Sequence, residues 1–336
     1  MKPVAKFSRR DLLRAGGTAS LTAAVAVGGG LAMPAGALAK APMQDSQMPG
    51  FFRFFLGAFE ITVVSDGNLV VPAGRFADNI PEVTFKAFLR SHAQSTSQRV
   101  LQLNTVLINT GAELILIDAG AGDNFQASGG RLAANLEAAG YKADQVDRVI
   151  ITHAHPDHIW GLIDDFEGGP RFPKASYVIT SAEWDFWTDA ETVKTIRKDL
   201  RGFAVGARKH LLPLASKMKR VNPDAQIAPG IKLLDTSGHT PGHVSVMVEQ
   251  GGERLLVTAD VVLTPYVSFE QPDWQPNSDL DKKQAVKRRK ALLKMAAGER
   301  LKMLCYHLPF PGIGYAVTSG QAYRWIPASL QWNAKG

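Results

Sequence analysis

Three of the chain's eight histidines fall within six residues, in the segment HAHPDH at residues 153–158. The apolar residues 149–151 precede it and predict a short buried strand, so the segment itself is predicted to be a loop at a sheet edge. Imidazole and carboxylate side chains are typical ligands of zinc-like divalent cations. On an extended turn His153 and His155 can face one ion, while Asp157 and His158 are displaced towards a second. The cluster therefore predicts a metal centre.

Two ions need more ligands than this one segment supplies. The second half of the chain offers His243, Asp260 and His307, each close to an apolar run that predicts a strand. Each would be unremarkable alone, but together they extend the predicted centre. A carboxylate such as Asp260 can bridge two cations and lower their mutual repulsion.

Composition excludes several other classes of protein. Cys305 is the only cysteine, so the chain has no internal disulfide framework and no cysteine-built zinc finger. The formal net charge is +7, but residues 1–39 hold five basic residues and one acidic residue. The remainder has 33 basic and 30 acidic residues, a balance typical of a soluble enzyme and not of a polyanion-binding protein.

Residues 1–39 predict a twin-arginine signal peptide. Arg9 and Arg10 precede an uncharged, glycine-interrupted stretch that is too weakly apolar for a transmembrane helix. Residues 37–39 fit a small-x-small cleavage site, which makes Lys40 the first mature residue. We therefore expect export to the periplasm or the medium, with no stable membrane anchor after cleavage.

The mature chain predicts an N-terminal leader at residues 40–58 and a single domain at residues 59–336. Two predicted hairpins, at residues 101–117 and 244–258, share one pattern: an apolar strand, a turn, and a second apolar strand that ends near an aspartate, Asp118 or Asp260. This repetition indicates an α/β fold of two related halves, each a sheet covered by helices.

The HxHxDH pattern and the four motifs around Asp118, His243, Asp260 and His307 resemble those of the metallo-β-lactamase superfamily, in the same order along nearly the whole mature chain. The resemblance implies an αβ/βα sandwich, with two mixed β-sheets flanked by helices and the active site at one sheet edge.

The resemblance also implies the roles of the site residues. His153, His155 and His243 would hold one divalent ion, Asp157, His158 and His307 would hold the other, and Asp260 would bridge them. Asp118 would orient a ligand, and His239 would be structural. Asp157 and Asp260 are the candidate catalytic residues. Zinc is the expected metal, although manganese, cobalt and iron accept the same ligands.

The C-terminal residues 307–314 and 323–327, with residues 269–274, resemble the methyl parathion hydrolase group of that superfamily. This implies a phosphotriesterase, in which a hydroxide shared by two ions attacks the phosphorus of an organophosphate triester and releases an aryl alcohol. The alternative is a lactonase that acts on N-acyl-homoserine or other lactones. Acyl-homoserine lactonases commonly carry a tyrosine three residues after the bridging aspartate, where this chain has Leu263.

A small neutral ester requires apolar pocket walls. Candidates near the motifs are Phe125, Trp184, Trp187, Leu263, Trp274 and Phe310. Trp184 and Trp187 have a helical i, i+3 spacing that fits a core stripe equally well. No nucleic-acid partner is expected, because the basic residues 282–294 read as the solvated face of a helix. A homodimer is expected from the resemblance, with the aromatic residues 51–55 as a candidate contact.

Overall fold

The computed structural model describes residues 49–331. The predicted signal peptide, residues 1–39, and the first part of the predicted leader lie outside the described residues. Within the described part of the chain, no helix combines the length and apolar character that crossing a membrane requires.

Sixteen strands are present in the described residues and form two seven-stranded sheets and one two-stranded ribbon. Their bounds are β1 (Phe51–Leu56), β2 (Phe59–Pro72), β3 (Gln98–Asn109), β4 (Leu114–Ile117), β5 (Arg148–Ile150), β6 (Ile163–Asp164), β7 (Gly169–Pro170), β8 (Ser176–Thr180), β9 (Met218–Val221), β10 (Gln226–Ala228), β11 (Ile231–Asp235), β12 (Val244–Gln250), β13 (Glu253–Val257), β14 (Lys302–Leu304), β15 (Ile313–Ser319) and β16 (Ala322–Pro327). The first sheet has the order β1-β2-β3-β4-β5-β8-β9, and the second runs from β10 to β16 in sequence order.

Helices cover the outer faces of the sheets. They are α1 (Glu82–Ser91), α2 (Leu132–Ala138), α3 (Pro156–Ile159), α4 (Ser181–Thr188), α5 (Ala190–Thr195), α6 (Arg201–Leu211), α7 (Val267–Glu270) and α8 (Lys282–Gly298). Apolar residues of β2 to β4 and of β11 to β13 form one buried core between the sheets. The outer face of the first sheet packs on α2, α4 and α6, and that of the second packs on α8. The predicted αβ/βα sandwich is confirmed.

The two halves share a topology. The hairpin β3–β4 is followed by the parallel strand β5, and the hairpin β12–β13 is followed by the parallel strand β14. Asp118 comes directly after β4 and Asp260 shortly after β13. This confirms the repeated pattern predicted from the hairpins, and it brings both aspartates to the same edge of the sandwich.

Part of the predicted leader is a strand. Phe51 to Leu56 pairs with β2 along its whole length as an edge strand of the first sheet. Phe52 and Phe54 pack against the core between the sheets, and Leu56 belongs to it. The sheet therefore begins before residue 59, because alternate side chains of this segment face the core.

One other local prediction needs correction. The sequence Asp66-Gly67-Asn68 predicts a turn, but β2 continues through it with a shift in register against β3, which is a β-bulge. Gly67 has a φ of +100°, and a Cβ atom there would lie 2.1 Å from the carbonyl oxygen of Ser128. The glycine serves a bulge that is packed against a neighbouring loop, and local sequence does not distinguish that from a turn.

Candidate metal centre

Five loops at one edge of the sandwich carry the ionisable side chains. Asp118 follows β4, residues 153–158 follow β5, His239 follows β11, Asp260 follows β13 and His307 follows β14. The preceding strands are apolar and buried, so their carboxyl ends deliver these loops to a common point. All of the side chains named in these loops are themselves buried, with an exposed fraction of 7% or less.

The first group of converging atoms comes from His153, His155, His239 and Asp260, whose candidate ligand atoms all lie within 4.8 Å of one another. The Nε2 atom of His239 is 3.0 Å from Nδ1 of His155 and 3.3 Å from Oδ2 of Asp260. The Nε2 atom of His153 lies 3.7 Å from the same carboxylate oxygen. Three imidazoles and a carboxylate at this spacing can hold one divalent ion.

The second group consists of Asp157, His158 and His307. Asp157 Oδ2 is 3.4 Å from Nε2 of His307 and 3.6 Å from Nε2 of His158. Asp260 Oδ1 lies 3.2 Å from Nε2 of His158 and 3.3 Å from Nε2 of His307. The carboxylate of Asp260 therefore lies between the two groups, one oxygen close to each, which is the geometry that a bridging ligand requires.

The hydrogen bonding of these groups also fits two cations. The Nε2 atoms of His153 and His158 and the Oδ1 atom of Asp260 are buried without a hydrogen-bond partner among the described residues. Leaving buried polar atoms unpaired costs about 1–3 kcal/mol each. Divalent ions at this point would have all three atoms as ligands. Imidazole nitrogen and carboxylate oxygen are ligand types that zinc prefers.

The structure reverses the expected roles of His239 and His243. Nε2 of His243 accepts a hydrogen bond from the backbone N–H of Asp260 at 3.1 Å, so Nδ1 carries the proton and donates to Oγ1 of Thr236 at 2.9 Å. Both ring nitrogens of His243 are thus occupied, and the ring packs behind the cluster. His239 projects its Nε2 into the first group instead. Two histidines four residues apart in one loop are equivalent in sequence, and only packing separates them.

A buried ion pair holds His239 in this orientation. Its Nδ1 donates to Oδ1 of Asp279 at 2.8 Å, and Oδ2 of Asp279 accepts from Nη2 of Arg289 at 3.1 Å. Arg289 lies in α8 and is only 2% exposed, because its remaining donors reach the carbonyl oxygens of Val261, Pro272 and Trp274. The basic residues 282–294, predicted to be a solvated helix face, therefore include one buried arginine that helps to orient His239.

Asp118 lies where the sequence places it. Its Oδ2 accepts a hydrogen bond from Nδ1 of His158 at 2.8 Å, and both of its oxygens accept from Thr152. This contact leaves Nε2 of His158 free to face the second group, which is the usual function of a carboxylate behind a metal-binding histidine. Tyr306, which the sequence analysis did not select, stacks on His158 with ring centroids 4.0 Å apart and donates to the carbonyl oxygen of Asp157.

A second residue absent from the sequence analysis is Glu183, which is fully buried. Its Oε1 accepts from the backbone N–H of Ala154 at 2.8 Å, and its Oε2 accepts from the Thr240 hydroxyl and the Gly242 N–H at 2.7 and 2.8 Å. Ala154 lies between His153 and His155, and Thr240 follows His239. One carboxylate therefore ties together the two loops that form the first group.

We expect Glu183→Gln to weaken metal binding on the order of 10- to 100-fold, because an amide offers one acceptor oxygen where two are used. Competition with a chromogenic chelator measures this affinity directly, without an activity assay. Glu191→Gln makes the same chemical change at an exposed helix residue and is expected to bind metal normally. Equal affinities in the two variants would show that Glu183 does not position the ligand loops.

The carboxylates of the cluster control the protonation of its imidazoles. Burial alone would lower the pKa of His239, but hydrogen bonds to Asp260 and Asp279 raise it to about 9. Burial likewise opposes the charge of His158, yet three nearby carboxylates raise its pKa well above its usual value. Asp260 keeps a pKa well below its usual range because surrounding imidazoles outweigh its burial. Bound metal must displace protons from these imidazoles, so acid weakens its binding.

The two groups open into a cavity of about 310 Å³. His155, Asp157, His239, Asp260 and His307 line one part of it. The rest is mostly apolar, with the residues Leu69, Val70, Val71, Pro72, Phe76, Leu101, Phe125, Phe203 and Leu263. Pro72, the last residue of β2, and Phe76, in the connection that follows it, belong to this wall.

Of the six predicted pocket residues, Phe125 and Leu263 line this cavity and four do not. Trp184 and Trp187 belong to the core beneath the first sheet, as their i, i+3 spacing equally allowed. Trp274 packs on Phe85 and Phe88 of α1, with ring centroids 5.6 and 4.8 Å away. Phe310 lines a separate surface groove with Pro265 and Tyr266. Aromatic residues close to a motif in sequence are thus placed by core packing.

Comparisons with known proteins give a consistent result. Residues 99–307 match the family model described as the metallo-beta-lactamase superfamily. A probable metallo-hydrolase of Mycobacterium tuberculosis is 26% identical over 190 residues, which cover 48% of this chain and 56% of that protein. An N-acyl homoserine lactonase of Bacillus thuringiensis is 26% identical over 173 residues, covering 48% of this chain and 60% of the lactonase. The chain thus matches little more than half the length of these relatives.

Two solved structures cover more of the chain. AidC, described as a dizinc quorum-quenching lactonase in complex with a product, superposes with a TM-score of 0.79 at 28% identity, covering 84% of this chain and 98% of AidC. AbOPH, described as a hydrolase in the beta lactamase superfamily, also has a TM-score of 0.79, at 30% identity, covering 85% of this chain and all of AbOPH.

Proposed function

This chain belongs to the metallo-beta-lactamase superfamily and is a metal-dependent hydrolase, and we propose that it hydrolyses N-acyl homoserine lactones with two bound metal ions. The observation that carries the proposal is a buried histidine–carboxylate cluster at one side of a cavity whose other walls are mostly apolar. An N-acyl homoserine lactone likewise has a polar part, the lactone ring, and an apolar part, the aliphatic acyl chain. The likeness to a dizinc lactonase and to bacillary lactonases supports this substrate over an organophosphate.

His153, His155 and His239 would hold the first ion, Asp157, His158 and His307 the second, and Asp260 would contact both. Ions held there would act as Lewis acids and would lower the pKa of water, which falls from 15.7 to about 7 on the zinc of carbonic anhydrase. Asp118, Asp279 and Glu183 orient the rings and loops that present these ligands.

The protein's own groups then act on the ester. Hydrolysis adds one water across the bond between the lactone carbonyl carbon and the ring oxygen, giving a carboxylate and a free hydroxyl group. The departing alkoxide needs a proton, and the carboxylate of Asp157, which lines the cavity, can accept the proton that the attacking water loses and pass it to the ring oxygen. Leu263 occupies the wall where a tyrosine was expected in a lactonase, and Tyr266 packs on His92 outside the cavity lining. The described residues that line the cavity thus offer no tyrosine hydroxyl for this step, and we assign the proton transfer to Asp157.

The test is a direct comparison of two substrates by the purified mature protein with its metals bound. We expect kcat/KM of at least about 10⁴ M⁻¹s⁻¹ on N-hexanoyl homoserine lactone, a typical enzymatic value, and a far lower value on methyl paraoxon. Asp260→Asn protein, purified in the same way, is the control for activity that comes from contaminating enzymes. The reverse ranking would contradict the lactonase proposal and favour the phosphotriesterase suggested by the C-terminal resemblance.

A further inference from the structure

The lining of the cavity beside the metal centre includes an arginine. Among the described residues that line it, Arg75 is the only lysine or arginine. Arg75 is an exposed residue, and its guanidinium group, which offers five N–H donors, makes no hydrogen bond or ion pair with another described residue. Ser278 also lines the cavity, and its hydroxyl group likewise has no hydrogen-bond partner in the described chain.

The backbone that carries Arg75 is firmly held. Arg75 lies in a single 3-10 turn, Ala73–Phe76, whose first and last residues are buried. Its carbonyl oxygen accepts a hydrogen bond from the N–H of Asn277 at 2.7 Å, which brings Arg75 next to Ser278. The Asn277 side chain donates to Asp78 and accepts from Arg197, so the two segments are joined at several points. Two residues whose side-chain donors have no partner in the described chain therefore line the cavity side by side, on segments that are hydrogen-bonded to each other.

We propose that Arg75 and Ser278 form a second polar subsite, which binds the amide oxygen of an N-acyl substituent while the lactone ring lies against the metal centre. This inference rests on the proposed lactonase function and names the feature that separates preferred lactones from others. The substrate class is a lactone with an acylamino group, rather than any lactone with an apolar tail.

The chemistry of the substrate explains the need for such a subsite. An amide oxygen that enters an apolar-walled cavity loses its hydrogen bonds to water, and an unreplaced hydrogen bond weakens binding. A guanidinium group donates a charge-assisted hydrogen bond to such an oxygen, which is stronger than a bond between neutral groups. The neighbouring apolar residues, among them Phe76 and Val71, then accommodate the acyl chain.

The experiment compares two lactones across matched variants. N-hexanoyl homoserine lactone has the amide, whereas γ-decalactone has the same ring size and an alkyl chain without it. We expect Arg75→Met to lower kcat/KM on the first substrate on the order of 10- to 100-fold, mainly through KM, and to leave γ-decalactone hydrolysis unchanged. Ser278→Ala is expected to act in the same direction with a smaller effect, and Arg75→Lys to restore part of the loss.

Arg90→Met is the matched control, since Arg90 is an exposed arginine of α1 that does not line the cavity. Melting temperature and bound metal are expected to be unchanged in all of these variants. An equal loss on both lactones, or no loss on the acylated one, would overturn the subsite while the lactonase function stands. Wild-type protein that hydrolyses neither lactone would overturn both proposals together.

Discussion

Asp260→Asn is expected to lower kcat/KM on the order of 10³-fold and to reduce the metal content from two ions per chain to one or fewer. The carboxylate of Asp260 lies within 3.7 Å of nitrogens from four histidines, so it is the most shared side chain of the centre. The amide of asparagine is neutral and keeps only one acceptor oxygen. It therefore can neither offset the charge of two cations nor contact both of them equally.

Metal content is measured by elemental analysis of the purified variant, and turnover on the acylated lactone is measured in the same sample. Asp273→Asn provides the control, because it makes the same change in an exposed aspartate that pairs with Lys290 at the surface. Two retained ions with normal turnover in Asp260→Asn would contradict the bridging position of this carboxylate.

A glutamine substitution at His239 is expected to cause loss of metal, whereas the same substitution at His243 is expected to leave both ions bound. His239→Gln removes an imidazole that faces the first group, so we expect loss of at least one ion and of nearly all turnover. In His243→Gln the side-chain amide can still accept from the N–H of Asp260, the contact that the imidazole makes. We expect this variant to keep two ions and to lose activity by no more than about tenfold.

The two variants serve as controls for each other, because both replace buried histidines in the same loop by the same residue. Melting temperature in the presence and absence of a chelator separates metal loss from general destabilisation. Retention of metal by His239→Gln together with its loss from His243→Gln would restore the assignment made from the sequence motif.

Several features of this centre could be predicted from the sequence. The HAHPDH segment predicted a metal centre at a sheet edge, and the repeated hairpins predicted an α/β fold of two related halves. Both follow from local chemistry: imidazole and carboxylate groups crowd into one short loop, and apolar runs alternate with turns. Asp118 and Asp260 could be selected because each lies close to the end of a predicted strand, where the chain reaches the edge of the sheet.

Other features depend on residues that are distant in sequence. Glu183 joins two ligand loops, and Asp279 with Arg289 orients His239. No pattern in the neighbouring sequence distinguishes these three residues from ordinary residues of a helix or a loop. The sequence does not show whether a given carboxylate will be buried or exposed in the folded chain. The function of such carboxylates arises from desolvation and from the particular donors that surround them.

The sequence by itself determined the type of chemistry, because the ligand atoms and the strands that deliver them are encoded in short contiguous patterns. The tertiary structure alone decided which of His239 and His243 faces the centre, and which aromatic residues reach the cavity. The backbone N–H of Asp260 donates to the ring of His243, whereas a hydrogen bond to Asp279 orients the ring of His239 towards the first group. Side-chain orientation is set by partners from other elements, and no spacing within the loop specifies those partners.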